Sequence, residues 1–260
     1  MHSNRIKEKW MQGKLAVGTY VNLADPAVVE IIGLAGFDAA FIDMEHTAFS
    51  LVTVQEMLRA CDMVGISSLV RVPDNNPKTI LRILDMGAQG VQVPHIGGKD
   101  DAMNMVKAVR YAPLGERGMG GSTRAARYGT LPSKEHLQTS NAEILLSVMI
   151  EDRSAIDELE GIASIDGVDL VTIGPTDLAQ ALGIPEDEYP RLMETIDHIS
   201  TTLKRIGKSK LALPLNLPAF PLNISQLKEL GVAYANCGPA DVSRLMNSYK
   251  QQIDEITSYL

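Results

Sequence analysis

The chain is short of the residues that would cross-link it or anchor it. Only two of its 260 residues are cysteine, Cys61 and Cys237, too few for a disulfide framework or a thiolate zinc knuckle. No stretch reaches the roughly 18 uninterrupted apolar residues of a membrane span. The opening MHSNRIKEKWMQGK is polar and of mixed charge, without the apolar centre of a signal peptide, so a cytoplasmic location is expected. Positive charge is also scarce: 24 Lys and Arg stand against 32 Asp and Glu, a formal charge of −8. Nucleic acid and anionic membranes carry the same sign, and neither is expected as a partner.

What is present is a run of strand-length apolar segments: LAVGTYVN (15–22), AAFIDME (39–45), SSLVRVP (67–73), GVQVPHI (90–96), LLSVMIE (145–151), DLVTIGP (169–175), KLALPLN (210–216) and YANCGPA (234–240). They are mostly continuous in hydrophobicity rather than alternating, which is how strands covered on both faces read. Helical patterns fall between them, at 26–36, 51–64, 77–88, 99–110, 153–163, 190–206, 222–230 and a long final 240–258. Asp25 is an N-cap candidate with Pro26 at the first helical position. Eight strands with helices between them, in about 250 residues, predict a (β/α)8 TIM barrel as one domain over 1–260. A doubly wound open sheet is the alternative, but it usually has fewer strands in this length.

The longest structure-poor stretch, 112–134, is rich in glycine and arginine. It lacks the Lys-Ser/Thr pair of a phosphate loop, and a mobile lid or a subunit contact is expected of it.

In a barrel of this kind chemistry sits at the C-terminal ends of the strands. Asp43, Glu45 and His46 end the second segment, Arg71 the third and Glu151 the fifth, and Asp177 follows the sixth. Each has a bland explanation: a cap for Asp177, a helix-dipole contact for Glu151, a structural ion pair for Arg71. Together they would need several coincidences at one end of the fold. Carboxylates without cysteine or a spaced histidine pair suit a hard divalent ion such as Mg²⁺ or Mn²⁺, able to polarise a bound carbonyl. Backbone N–H groups after Gly174-Pro175-Thr176 would favour an anionic group, so a 2-oxo acid fits. His46 is the candidate base. A Schiff-base mechanism would need an interior lysine near a strand end, and Lys210, Lys78 and Lys99 are all badly placed.

These residues resemble the HpcH/HpaI aldolase family of class II pyruvate aldolases. The matching pieces run in order: VGTY (17–20), GFDAAFIDMEH (36–46), LVRV (69–72), LDMGAQGVQVPH (84–95), VRYAPLGERGMG (109–120), IE (150–151) and IGPTDL (173–178). The resemblance implies an aldehyde-lyase that cleaves a 4-hydroxy-2-oxo acid to pyruvate and an aldehyde through the pyruvate enolate. It implies Glu151 and Asp177 as ligands of a divalent metal (Mg²⁺, Mn²⁺ or Co²⁺), and proton handling by His46 with Asp43. Arg71 would steady the enolate oxygen, and Gly174, Pro175 and Thr176 would take the pyruvate carboxylate. It further implies a homohexamer built as a trimer of dimers, with the last helix exchanged between subunits and Asp85 approaching a neighbouring site. Met149 departs from the pattern, standing where relatives often carry a substrate-binding glutamine, and Tyr20 replaces a tryptophan. Two enzymatic alternatives keep the same enolate: a 2-oxo acid decarboxylase and an acyl-CoA lyase. A catalytically silent oxo-acid-binding barrel is the alternative from another class.

Overall fold

The computed structural model describes residues 3–185, 188–218 and 220–259, so Met1, His2 and, within the proline-rich 211–223 stretch, Ala219 lie outside it. Among the described residues the strands are β1 (Ala16–Val21), β2 (Ala39–Asp43), β3 (Ser67–Arg71), β4 (Gly90–Val93), β5 (Leu145–Ile150), β6 (Leu170–Ile173), β7 (Lys210–Leu215) and β8 (Val232–Cys237). All pair in parallel with their sequence neighbours, and β8 returns to β1. The sheet therefore closes, as the segment pattern predicts.

The helices are α1 (Arg5–Met11), α2 (Pro26–Leu34), α3 (Leu51–Val64), α4 (Pro77–Asp85), α5 (Lys99–Val109), α6 (Ser133–Glu143), α7 (Arg153–Asp157), α8 (Leu159–Ala163), α9 (Pro175–Leu182), α10 (Tyr189–Ile206), α11 (Ile224–Leu230) and α12 (Asp241–Thr257). Their starts follow local chemistry. Asp25, Ser50, Asn76 and Asn223 each accept a backbone N–H of the first turn, filling donors that a helix leaves open. The expected 153–163 helix is two short ones, broken at Glu158.

Strand side chains alternate between the two faces of the sheet, and two cores result. The larger lies between sheet and helices, with Ile42, Val70, Val91, Val148 and Ile173 packed against Val54, Ile80, Val106 and Ile196. Each fully buried aliphatic side chain there contributes roughly 1.5–3 kcal/mol. The smaller fills the barrel interior: Ala16, Ala39, Phe41, Leu69, Leu145, Leu170, Ala212 and Tyr234, joined by Ile6 and Trp10 of α1. Helix α1 plugs the base of the barrel. Asn4 caps it and also donates to the carbonyls of Gln89 and Glu143.

The 112–134 segment is at the base as well, which overturns its reading as a lid. Helix α5 carries the chain away from the mouth, and the segment is then tied down beside the ends of α3 and α4. Arg117 donates to Asp85 at 2.8 Å, Ala125 N–H to the Asp85 carbonyl, and Arg124 pairs with Asp62.

Helix α12 stands apart. None of its residues is buried, and Val242, Leu245, Met246, Tyr249, Ile253 and Ile256 form an exposed apolar stripe at helical spacing.

Candidate active site

The mouth of the barrel is organised around a carboxylate that is fully engaged. Asp43 and Arg71 are register partners on β2 and β3. Arg71 Nε donates to Asp43 Oδ1 at 2.9 Å and Nη2 to Oδ2 at 2.6 Å, a bidentate fork. Asp43 Oδ1 also accepts the backbone N–H groups of Glu45 (3.0 Å) and His46 (3.3 Å). The strand has ended by then, so strict alternation no longer governs where His46 points. Asp43 touches the His46 backbone and not its ring.

Burial opposes the Arg71 charge, but hydrogen bonding and charge from Asp43, with Glu45 beyond, outweigh it and hold the guanidinium above its ordinary pKa. Arg71 Nη1 lies 3.0 Å from Glu45 Oε2, and its guanidinium stacks over the Phe41 ring at 5.7 Å. Tyr20 packs edge-on against that ring, and burial pushes its phenol up to about 12.

Glu45 links two imidazoles: His46 Nε2 is 3.6 Å from Oε2 and His95 Nε2 3.4 Å from Oε1. The site-residue reading of the sequence passed over His95, although it follows Pro94 at the end of β4 within the quoted motif. Its φ of 52° is left-handed, an uncommon conformation for a non-glycine residue. That turn aims its backbone N–H at Glu151 Oε2, at 3.0 Å.

Glu151 is only 3% exposed. Burial raises its pKa; the His95 N–H and ring charge oppose this, and the charges of Glu45 and Asp177 add to it. The Asp177 contribution means that the two acids are close enough to feel one another. A Cβ at Gly174 would fall 2.9 Å from Glu151 Oε1, so a side chain there would press on the carboxylate.

Helix α9 begins at Gly174 without a side-chain cap. Pro175 has no N–H, and the Thr176 and Asp177 amides lie in the first turn, where helical partners are missing. Asp177 is exposed and forms no hydrogen bond or ion pair with the described residues.

Below these groups is a polar floor. Met149, Gln92 and Thr172 line a cavity of about 300 Å³ that also meets Arg71, His46, Gly174, Asp177 and Asn236. Its size is at the small end for ligand sites, fitting a compact polar molecule.

Asp85 does not line this cavity. As the last residue of α4 it sits at the opposite end of the barrel, paired with the side-chain-buried Arg117.

The donor set fits a hard divalent cation. Glu151 has one oxygen held by His95 N–H and the other next to Gly174, a residue of the cavity wall, and the unengaged Asp177 lines that cavity. No group of three or more His, Cys, Asp or Glu forms a complete cage among the described residues. Two carboxylates with open positions for water and substrate are what Mg²⁺-type ions commonly use.

The chain is similar to known proteins in sequence and fold. A family model described as HpcH/HpaI aldolase/citrate lyase matches residues 16–216. The chain is 37% identical over 206 residues to the pyruvate aldolase of Rhizobium etli, covering 79% of this chain and 80% of that one. It is 36% identical, with the same coverage, to the 5-keto-4-deoxy-D-glucarate aldolase of Escherichia fergusonii. The HpcH/HpaI aldolase structure from Desulfitobacterium hafniense DCB-2 superposes with a TM-score of 0.88 at 28% identity, covering 98% of this chain and 97% of that one.

Proposed function

Since the chain belongs to the HpcH/HpaI aldolase/citrate lyase family, whose members generally depend on a divalent metal, we propose the following division of labour at its mouth. The enzyme is a class II aldehyde-lyase that cleaves a 4-hydroxy-2-oxo acid to pyruvate and an aldehyde. The observation that supports this assignment of roles is a buried carboxylate, Glu151, next to Gly174 at the uncapped helix start that also carries the unengaged Asp177.

Glu151 and Asp177 hold the cation, which supplies Lewis-acid polarisation of the 2-oxo group when bound. Mg²⁺, Mn²⁺ and Co²⁺ all accept such oxygen donors. The backbone around Gly174, Pro175 and Thr176 receives the substrate carboxylate, through the free first-turn N–H groups that follow Pro175, as a helix N-terminus favours an anion. Arg71, pre-set by Asp43, offsets the negative charge that develops on the oxo oxygen. Such preorganised donors are each worth roughly 10²–10³ in rate. His46 moves the proton of the 4-hydroxyl, directly or through water. Asp43 serves this step by holding the His46 backbone and the Arg71 fork, and Met149 borders the three-carbon fragment.

The apolar stripe of α12 supports a homo-oligomer in which that helix packs on another copy, as in the trimer of dimers that the family resemblance implies. Asp85 would then reach a neighbouring copy's mouth rather than its own. The chain is read as one barrel domain, and no helix among the described residues is long and apolar enough to cross a membrane. A cytoplasmic location and a small-molecule partner, rather than nucleic acid or membrane, complete the reading.

The experiment is pyruvate release from a 4-hydroxy-2-oxo acid, with and without divalent metal. Glu151→Gln should abolish the metal-dependent rate, whereas full activity in that variant or in excess chelator would reject the assignment.

A further inference from the structure

Gln92 lies on β4 in register with Arg71 on one side and Ser147 on the other. It is 2% exposed, yet it borders the cavity. A primary amide there has one acceptor and two donors to satisfy. The acceptor is satisfied: Ser147 Oγ donates to Gln92 Oε1 at 3.3 Å, and Ser147 and Thr172 share a hydroxyl contact at 2.7 Å. The donors are not. One N–H is directed at the Met149 thioether, 2.9 Å away, and sulfur of this kind is a weak acceptor. The other has no partner among the described residues.

We propose that the Gln92 side-chain amide is a substrate-positioning contact, donating an N–H to an oxygen of the 2-oxo acid bound between Arg71 and Met149. The Ser147–Thr172 hydroxyl pair fixes the amide with its N–H edge toward the cavity, and Met149, offering only a weakly accepting thioether to one N–H, leaves the other free for the ligand. Buried amides are normally satisfied, and here the bound acid completes the set. The β4 amide thereby supplies on one strand a donor that the β5 side chain at Met149 cannot. The inference rests on the aldolase reading and deepens it by naming what reads the oxo acid from below.

The test uses full-length protein with Mn²⁺, and measures pyruvate affinity by calorimetry and methyl-proton exchange in deuterated water. Gln92→Met keeps the length and volume of the side chain while removing both donors. It should weaken pyruvate binding at least tenfold while leaving Mn²⁺ affinity unchanged. Combining it with Met149→Gln, which restores an amide on the adjacent strand, should recover much of the loss, and a purely structural role for Gln92 would give no such recovery. Gln92→Leu serves the same purpose if Gln92→Met is unstable. Wild-type protein that binds pyruvate, with a folded Gln92 variant binding it within twofold, overturns the Gln92 assignment alone. Wild-type protein that neither binds nor exchanges pyruvate overturns the aldolase reading and this inference together.

Discussion

The two halves of the barrel interior are built from the same strands and have opposite characters. At the base, Ala16, Ala39, Leu69, Leu145 and Leu170 close on Ile6 and Trp10 of α1. Two or more residues further along those strands or their neighbours, the interior holds Asp43, Arg71, Gln92, Ser147, Thr172 and Glu151, all buried or nearly so. The lower half can be satisfied by packing alone. The upper half keeps buried charge and amide groups that need partners: Gln92 is left with donors at the cavity, and Glu151 Oε1 lies next to Gly174 of the cavity wall. On the proposed reading, stability is concentrated below and chemistry above, as the barrel architecture allows.

If that division holds, changes above and below should separate activity from stability. The largest effect on turnover is expected at Arg71. Arg71→Lys removes the planar fork that matches Asp43, and kcat should fall by roughly 10²–10³ with the melting temperature little changed. Steady-state kinetics beside thermal unfolding would check it, and an unaltered kcat would detach Arg71 from the reaction. Below, Leu69→Ala should do the reverse. Deleting a fully buried leucine destabilises by roughly 2–5 kcal/mol, whereas kcat per folded molecule should stay near wild type. Chemical denaturation with active-site titration separates the two quantities.

A smaller effect sharpens the contrast from the upper half. Burial lifts the Glu151 pKa above the usual carboxylate range, so the native chain holds that proton more tightly than the unfolded chain. Between the two pKa values the native state binds more protons, and stability falls as pH rises through that window. The full cost is present above it. Metal-free Glu151→Gln should therefore melt a few degrees higher than wild type at pH 8, with the gap closing as pH drops into the ordinary carboxylate range. Equal melting temperatures at pH 8 would remove the buried-charge argument.

The architecture was open to reading because double burial makes barrel strands continuously apolar, and all eight segments overlap the observed strands. The segments run past the strand ends: β2 stops at Asp43 and β4 at Val93, because the polar residues at the mouth belong to turns. Helix α1 carried a signal in Asn4 followed by Ile6 and Trp10, but its charged surface hid it. Helix α6 buries only His136 and Ser140, which leaves too little apolar periodicity to mark it. The acids and Arg71 could be picked out because each stands at a strand end. His95 and Gln92 could not, since their roles depend on contacts with Glu151, Ser147 and Met149 more than 50 residues away, closed only by strand register.

The account rests on Glu151 and Asp177 acting as one cation site. Mn²⁺ binding followed by water-proton relaxation in wild type, Glu151→Gln and Asp177→Asn tests this directly. One tight site in wild type, weakened at least tenfold in each variant, is the expected result. Wild-type affinity retained in both variants would place the ion elsewhere and contradict the account.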